Sequence, residues 1–266
     1  MKQTLLYRAT NYALRFIKEK YRTLTWKQTD DYTKIQTLKE KHKGKPCIVI
    51  GNGPSLNKMD LNKFKDYITI ASNSFYLKHP DLNFTPNYFT VEDPLPAEDN
   101  QKEISALKNT IKIIPSDLKK FITRDDNTIY MNFLRSYMRP NNPNFPLFSE
   151  EFDEKSYWGG TVLFFNLQLA HYLGCNPIYL VGVDLTYTIP DSIIRNGNVL
   201  TSTEDDPNHF NKDYFGKGKR WHLPEVDRMQ IAFTKAYQVL KKCNVNLYNA
   251  TIGGNLKEIP RKNLDD

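Results

Sequence analysis

Short runs of apolar residues alternate with longer amphipathic stretches over most of the chain. Seven of the runs are rich in Val, Ile and Tyr and only four residues long, which is typical of buried strands. They predict strands at Cys47–Ile50, Ile68–Ala71, Tyr88–Val91, Ile111–Ile114, Thr128–Met131, Ile178–Val181 and Val245–Tyr248. Helices are predicted between them at Asn62–Lys65, Gln101–Lys108, Thr161–Leu173 and Pro224–Lys242. This alternation indicates an α/β fold, a Rossmann-like and mostly parallel sheet with helices on both faces.

Two long stretches show neither the apolar runs of buried strands nor the spacing of amphipathic helices. Tyr137–Lys155 is rich in Pro and Asn, and Thr186–Leu223 is a second irregular segment. Long loops in a compact domain are often functional lids. Both are therefore predicted to be loops close to a ligand site.

The N-terminal segment has a different pattern, in which apolar residues recur at three- and four-residue spacing. They are Leu5, Leu6, Ala9, Tyr12, Ala13, Phe16, Ile17 and Tyr21. This spacing predicts an amphipathic helix, for which two interpretations stay open. It packs on its own domain or on a second subunit, forming a homo-oligomer, or it lies on an anionic membrane leaflet with Trp26 near its end.

The net charge of +7 belongs mainly to this segment. Residues 1–29 hold seven basic side chains against one acid, whereas the rest of the chain is almost neutral. A nucleic-acid-binding domain would carry a basic face on the fold itself, so no nucleic acid is expected as a partner. Asp30–Lys45 predicts a polar helix or linker ending at Gly44. We therefore divide the chain into a helical arm, 1–44, and a nucleotide-binding catalytic domain, 45–266.

Composition narrows the cellular setting. Hydrophobic residues make up 39% and charged residues 25% of the chain, as in globular proteins. Three widely separated cysteines, Cys47, Cys175 and Cys243, suggest reduced and mostly buried thiols. No signal peptide is visible, and no run approaches the ~20 apolar residues of a membrane span. We expect a cytoplasmic protein, with peripheral contact to the inner face of the membrane if the arm binds lipid.

A glycine-containing motif, Gly51-Asn52-Gly53-Pro54-Ser55, directly follows the first predicted strand. Two glycines allow a tight turn, and Asn52 and Ser55 can donate to phosphate oxygens beside a helix N-terminus. The motif is neither a Walker A loop nor the dinucleotide pattern of three spaced glycines. It predicts a nucleotide-binding loop, and the alternative is an ordinary strand–helix turn.

Polar residues also follow the other predicted strands. Ligands of open α/β sheets bind outside the carboxyl ends of the strands, where these residues meet. The further candidates for nucleotide binding are Asn73, Ser74, Asp93, Gly182 and Asp184. Thr161 opens a largely apolar helix after two glycines, so its N–H groups either face an anion or begin a plain buried helix.

The stretch from Asn208 to Asp227 contains two histidines among several cations. His222 is a candidate general base for a sugar hydroxyl, and Asp227 could orient its imidazole. The candidates for contact with phosphate or substrate are His209, Lys217, Lys219 and Arg220. No Cys-x-x-Cys or His-Glu-x-x-His is present. The Glu92-Asp93 pair either holds magnesium or lies on a solvated loop, and we predict no required cofactor.

These motifs resemble the bacterial lipooligosaccharide sialyltransferases that use CMP-sialic acid. The resemblance is carried by GNGPSL, SNSFYL, LG-x3-IYLVGVD and a late His-x4-Asp, dispersed over roughly residues 46–250. In that family the GNGPSL motif and the asparagine after the second strand contact CMP and the reacting region, and the Gly-x-Asp motif holds the ribose. Nearby tyrosines support the phosphate, and the late histidine is the general base. The matching positions are Asn52, Ser55, Asn73, Thr161, Gly182, Asp184 and His222.

The chain departs from those sialyltransferases at several positions. Glu92-Asp93 stands where they carry asparagine, and Thr186 replaces the first supporting tyrosine, with Tyr187 adjacent. Two extra stretches, NHFNKDYFGKG and YNATIGGNLKEIPR, are also present. In these features the chain is similar to a sister family of those sialyltransferases, which includes archaeal 6-hydroxymethylpterin diphosphokinases and bacterial motility accessory factors.

The resemblance implies a glycosyltransferase of surface-glycan or lipopolysaccharide biosynthesis. It would transfer a sialic-acid-like sugar from a CMP donor to a glycan or glycolipid acceptor. The acidic pair would instead suit an ATP- and magnesium-dependent diphosphokinase. A third hypothesis is a nucleotide-binding module without catalysis.

Overall fold

The computed structural model describes residues 17–135 and 145–264, which form a central parallel sheet with helices on both faces. The strands in chain order are β1 (Cys47–Ile50), β2 (Ile68–Ser72), β3 (Tyr88–Thr90), β4 (Ile111–Pro115), β5 (Thr128–Met131), β6 (Phe133–Leu134), β7 (Ser156–Tyr157), β8 (Ile178–Val181), β9 (Ile194–Asn196), β10 (Val199–Thr201), β11 (Arg220–His222) and β12 (Leu247–Asn249). The central sheet has seven strands in the order β12-β8-β1-β2-β3-β4-β5. The predicted α/β Rossmann-like fold is confirmed, and all seven predicted strands are in this sheet.

The helices are α1 (17–26), α2 (Asp30–Gln36), α3 (Pro94–Asp99), α4 (Gln101–Ala106), α5 (Val162–Tyr172) and α6 (Val226–Lys242). The predicted helix at Asn62–Lys65 is a single 3-10 turn, Leu61–Phe64, which begins where the Asp60 side chain accepts from the Asn62 N–H. α3 was not predicted, because two of its six residues are prolines. Pro94 is tolerated in its first turn, since the N–H that proline lacks would have no intrahelical partner there.

The core lies on both faces of the sheet. α5 is buried on all sides because it lies between the sheet and α6, which explains why its sequence shows no polar face. On the opposite face, α3, α4 and the 3-10 turns cover residues such as Ile48, Phe89 and Val181. Burial of strands on both faces is why they appear as continuous apolar runs and not as alternating ones.

The stretch Thr186–Leu223, predicted to be irregular, contains a second sheet. β9, β10 and β11 form an antiparallel three-stranded sheet, with Val199 opposite His222. The prediction of an unstructured loop was wrong because each strand is only three residues long and β9 is fully exposed. Over only three residues, alternation of apolar and polar positions does not distinguish a strand from a loop. This small sheet fixes the position of His222.

The chain from Trp26 to Gly44 packs closely against the sheet domain. Trp26 and Ile35 are buried in the core, and the Trp26 indole N–H donates to the Asp153 carbonyl at 2.6 Å. The N–H groups of His42 and Gly44 donate to the carbonyls of Leu173 and Gly174. The division of the chain at residue 44 stays a prediction. The residues of the predicted arm before Ile17 lie outside the part of the chain that the structure describes.

The sequence predicts no membrane-spanning helix and reduced, mostly buried cysteines. None of the described helices is both long and apolar enough to span a bilayer. All three cysteines are free thiols, with Cys47 and Cys175 buried and Cys243 half-buried. The predicted loop Tyr137–Lys155 is described from residue 145 onward, and its earlier part lies outside the described ranges.

Candidate functional site

A cavity of about 560 Å³ opens at the carboxyl edge of the central sheet. We call it the edge cavity. It is lined by residues that follow β1, β2, β3 and β8, by the N-terminal ends of α5 and α6, and by the β11 strand. Of the predicted site residues, it contains Asn52, Gly53, Asn73, Asp93, Thr161, Gly182, Asp184, Tyr187, His209 and His222. The cavity thus lies at the edge where ligands of α/β sheets bind, and these residues stay candidates for ligand contact.

The two glycines of the first motif allow two loops to touch. The N–H groups of Gly51 and Gly53 donate to the carbonyls of Val181 and Gly182 at 2.7 and 2.9 Å. A Cβ atom on Gly53 would lie 1.8 Å from Oδ2 of Asp184, and one on Gly51 would lie 2.3 Å from the Gly182 carbonyl oxygen. The loops after β1 and β8 are thus pressed together, which no other residue type permits.

Ser55 contacts Asp184 and does not itself line the cavity. Its hydroxyl donates to Oδ2 of Asp184 at 2.7 Å, and Ser55 itself is buried behind that carboxylate. Ser55 and Gly51 are outside the cavity lining, so their predicted contact with nucleotide is not what the geometry shows. Ser55 positions Asp184, whose carboxylate faces the cavity, and Gly51 allows the loops after β1 and β8 to touch.

Asn52 and Asn73 bring amide groups to the same end of the cavity. Asn52 is 9% exposed, and its Oδ1 atom has no hydrogen-bond partner within the described ranges. Leaving a buried acceptor unpaired is costly, so this oxygen is suited to a donor group of a ligand. Asn73 has a φ of 57°, a left-handed conformation that asparagine tolerates. Ser74, also predicted to bind nucleotide, is instead buried behind Asn73 and outside the lining.

His222 is held by a carboxylate from a distant part of the chain. Its Nδ1 atom lies 2.6 Å from Oδ2 of Asp93, while Oδ1 of Asp93 accepts from the N–H of Leu95 and so caps α3. The hydrogen bond to Asp93 raises the pKa of His222, although partial burial and Arg135 oppose the effect. With Nδ1 protonated toward Asp93, Nε2 is the nitrogen left as a proton acceptor.

The prediction that Asp227 orients His222 was wrong. Asp227 is exposed on α6 and lines a separate groove with Gln230 and Thr234. The partner could not be found by local spacing, because the contact requires β11 to pack beside α3. The sequence indicates Asp93 as a candidate for nucleotide binding or, with Glu92, for magnesium, and not as the partner of His222.

A second histidine–carboxylate pair lies deeper in the edge cavity. Nδ1 of His209 lies 2.7 Å from Oδ2 of Asp206, and the His209 ring stacks on Tyr214 with centroids 3.9 Å apart. Asp206 also accepts from the N–H groups of Asn208 and Phe215. These contacts lock the segment that follows β10, so the observed role of His209 is to shape the cavity wall.

The three predicted cations lie elsewhere. Lys219 donates to the Asp99 carbonyl at 3.1 Å, and Arg220 pairs with Glu98 at 2.9 Å and also with Asp99. Lys217 is exposed and outside the cavity. Lys219 and Arg220 therefore fasten β11 to the C-terminal end of α3. The prediction that these residues contact phosphate is not supported by their positions.

Two arginines that the sequence did not reveal line the edge cavity instead. Arg135 pairs with Asp117 at 2.6 Å and donates to the Glu92 carbonyl. Arg228 lies over the rings of Trp158 and Phe145, with its guanidinium carbon 5.3 and 5.5 Å from the ring centroids. Neither arginine belongs to a recognisable motif.

Arg228 reaches this position because Gly160 lies beneath it. A Cβ on Gly160 would be 3.2 Å from the Arg228 side chain, and its φ of 86° also favours glycine. The aliphatic part of the Arg228 side chain thus packs just before the first turn of α5, where Thr161 caps the helix by accepting from the Leu163 N–H, and its guanidinium pairs with Glu225 at 2.9 Å. A cation next to a helix N-terminus makes this wall suited to an anionic group.

Glu92 is a buried acid in the wall of the edge cavity. It is 4% exposed, and Oε2 has no hydrogen-bond partner in the parts of the chain that the structure covers. Burial raises the pKa of Glu92 to about 8, and Asp93 adds to this while Arg135 opposes it. Glu92 is therefore mainly protonated at neutral pH and can donate a hydrogen bond.

Tyr187 closes the cavity on the other side. It lies against Met229, and burial raises the pKa of Tyr187 to about 12, so its hydroxyl stays protonated. Among the described residues no group of three or more His, Cys, Asp or Glu side chains is arranged to hold a metal ion. The prediction about metal need stays untested.

The fold and the edge cavity define a Rossmann-like protein with a polar ligand site. The chain belongs to the MptE-like family, since the model described as 6-hydroxymethylpterin diphosphokinase MptE-like matches residues 24–190. This confirms the resemblance to the family that includes the 6-hydroxymethylpterin diphosphokinases. Curated proteins give no match to the chain.

Three solved structures are similar in fold. The MAf glycosyltransferase from Magnetospirillum magneticum AMB-1 is 16% identical, with 83% of this chain and 34% of that chain covered and a TM-score of 0.49. The sialyltransferase CstII from Campylobacter jejuni, in complex with CMP-3FNeuAc, is 15% identical, with 77% and 80% covered and a TM-score of 0.38. A mammalian sialyltransferase is 10% identical, with 90% and 86% covered and a TM-score of 0.37. The chain spans about a third of the length of the MAf chain.

Proposed function

We propose that the protein is a glycosyltransferase that transfers an acidic, sialic-acid-like sugar from a CMP donor to a glycan or glycolipid hydroxyl. The observation that carries the proposal is the His222–Asp93 pair, which lines the same cavity as the loops after β1 and β8. The pair supplies a base and the loops supply a nucleotide site. The reaction as proposed requires no cofactor.

The nucleotide would lie between the loops after β1, β2 and β8. Asp184 is suited to accept hydrogen bonds from ribose hydroxyls, and it is held for that purpose by Ser55. The unpaired Oδ1 of Asn52 can accept from an amino or hydroxyl group of the ligand. Asn73 and Tyr187 complete this end of the cavity.

The base would act at the opposite end. Nε2 of His222 takes the proton of the acceptor hydroxyl as that oxygen attacks the anomeric carbon of the donor sugar and the bond to CMP breaks. Asp93 stabilises the imidazolium that forms, in the manner of a carboxylate that orients a catalytic histidine. Arg228 and the first turn of α5 offer positive charge to the acidic sugar or the departing phosphate.

The description of the family favours a second candidate, transfer of diphosphate from ATP with magnesium. Glu92 and Asp93 would be the carboxylates for the ion, which usually takes one or two in phosphate-binding sites. In the structure Asp93 is already engaged with His222 and Leu95, and Glu92 is buried. These contacts fit the first candidate better.

A nucleotide panel tests the two candidates. Melting temperature is measured with CMP, CDP, UDP, GDP and ATP, each with magnesium and with EDTA, because a ligand of the native state raises it. We expect stabilisation by CMP in both conditions. Stabilisation by ATP alone, and only with magnesium, would replace the first candidate with the second. Loss of this ATP- and magnesium-dependent stabilisation in Glu92→Gln would support the same conclusion.

Turnover is tested separately with His222→Ala. We expect a loss of about 10²- to 10⁴-fold in transfer from a CMP-activated acidic sugar, since that is the usual contribution of a general base. Affinity for CMP should change little. Binding of CMP without transfer to any acceptor by the unmodified protein would indicate a non-catalytic module.

A further inference from the structure

The helix α1 presents apolar side chains to solvent. Ile17, Tyr21 and Leu24 are 61%, 70% and 62% exposed. Their spacing of four and three residues places them in one stripe along the helix. A contiguous row of large apolar side chains on a surface is a mark of an interaction site.

The opposite face of α1 is fastened to the domain. The Trp26 indole donates to the Asp153 carbonyl at 2.6 Å, Arg22 donates to the Phe133 carbonyl, and Thr23 accepts from Asn132 at 3.2 Å. Glu19 pairs with Lys155 at 3.5 Å on the same side. The helix therefore cannot turn its apolar stripe inward without breaking these contacts. Trp26, at the end of this helix, is buried and belongs to the face that contacts the domain.

Lysines flank the stripe on both sides. At 100° per residue, Lys18 lies on one side of Ile17 and Tyr21, and Lys20 lies on the other. Both are exposed. Lysine stems can lie along an apolar surface while their ammonium groups reach outward to phosphate. The face thus combines an apolar centre with basic edges, as in helices that lie in the plane of a bilayer interface.

We infer that α1 docks the protein on an anionic lipid bilayer, with Ile17, Tyr21 and Leu24 inserted among the lipids and Lys18 at the headgroups. The inference does not depend on the reaction in the edge cavity. It requires no spanning segment, in keeping with the absence of one among the described helices.

A second copy of the chain is a poorer occupant of this face. A symmetric contact would place the same lysines of both copies together, which is repulsive. Three side chains also form a much smaller patch than the 20 to 30 residues per partner of a stable interface, an order-of-magnitude guide. A bilayer meets neither difficulty, because its surface is continuous and negatively charged.

The test is sedimentation of the full chain with vesicles. One set contains phosphatidylglycerol and phosphatidylcholine in equal parts, and the other contains phosphatidylcholine alone. We expect binding to the first set, weaker binding at high salt, and little binding to the second. In Ile17→Ser/Leu24→Ser the vesicle affinity should fall by about a hundredfold, since each of the two removed apolar side chains contributes about tenfold.

The matched control is Ile231→Ser, an exposed isoleucine on α6 that is 54% exposed. Its vesicle binding should equal that of the unmodified protein. Melting temperature verifies that both variants fold, as expected for exposed positions. Absence of binding to the anionic vesicles, or equal binding by Ile17→Ser/Leu24→Ser, would overturn the inference. So would a dimer seen by analytical ultracentrifugation that this double variant dissociates.

Discussion

The Nδ1 atom of His222 lies 2.6 Å from Oδ2 of Asp93, although the two residues are 129 positions apart in the chain. The contact exists because β11 runs beside α3. Arg220 is bound to Glu98 at the end of that helix, and His222 is bound to Asp93 at its start. An ion pair at Arg220 and a hydrogen bond at His222, two residues apart on one strand, thus set the height and orientation of the imidazole. The base is held by the fold, not by its neighbours in sequence.

Replacing Asp93 with Asn should lower turnover and move its pH dependence. Asparagine is as good a helix cap as aspartate, so α3 should remain intact. Because Asp93 raises the pKa of His222 and the base must be neutral, the rise of activity with pH should shift to lower pH in Asp93→Asn. The maximal rate should fall by about 10-fold or more, as for a poorly oriented base. The measurement is a profile of kcat against pH.

Asp227→Asn is the control for this variant. It changes an exposed carboxylate five residues from His222 that lines a different groove. Its pH profile should match that of the unmodified protein. A shift in Asp227→Asn, or an unshifted profile in Asp93→Asn, would refute the assignment of Asp93 as the positioning residue.

Glu92→Gln should make the protein more stable, increasingly so as pH rises. Burial raises the pKa of Glu92 to about 8, so between its unfolded value near 4.5 and that value the folded state binds the extra proton. Stability therefore falls with rising pH over this window, and the loss is complete above it. Glutamine mimics the protonated acid and removes the loss, which is on the order of a few kcal/mol for a fully buried group.

Urea denaturation at several pH values measures this difference. The free energy of unfolding of Glu92→Gln and of the unmodified protein should agree near pH 4 and diverge toward pH 8. Parallel curves would show that the Glu92 carboxyl is not destabilised by its surroundings. Asp227→Asn, which changes an exposed carboxylate, is the comparison, and its free energy of unfolding should depend on pH as that of the unmodified protein does.

Sequence patterns located the central sheet well and the site in part. The apolar runs gave β1 and β8 with correct ends, since burial on both faces leaves a continuous signal that needs no tertiary information. The same patterns placed Asn52, Asn73 and Asp184 at one edge, because parallel strands share a carboxyl end. This much follows from local periodicity and topology.

What the patterns missed depends on contacts between distant segments. Arg135 and Arg228 enter the edge cavity only because Asp117, Trp158 and Gly160 hold or admit them. Nothing in their sequence neighbourhoods distinguishes them from surface arginines. Lys219, by contrast, looked suited to phosphate but is turned toward α3, and the sequence did not show this because β11, the strand that follows it, was not recognisable.

Arg228→Ala should weaken use of an acidic sugar donor. The guanidinium lies over Trp158 and pairs with Glu225 at 2.9 Å, and an anionic group in the edge cavity would share its charge with that carboxylate. A charged hydrogen bond of this kind is worth about 1.5 to 3 kcal/mol, which corresponds to a fall of about 10- to 100-fold in kcat/KM. Arg228→Lys should recover only part of it, because lysine cannot stack as the guanidinium does. Lys217→Ala, outside the cavity, should behave as the unmodified protein.

Gly53→Ala tests whether the loops after β1 and β8 must touch for a nucleotide to bind. Its new Cβ would lie 1.8 Å from Oδ2 of Asp184, the atom that accepts from Ser55. The carboxylate must therefore move, which should lower both melting temperature and affinity for CMP, the latter by more than in Ser55→Ala. Calorimetric titration with CMP measures the affinity. Gly197→Ala controls for the general effect of such a change, because its Cβ meets no atom and only the positive φ of 60° is strained. If Gly53→Ala bound CMP as well as Gly197→Ala does, Asp184 would have no part in holding the nucleotide.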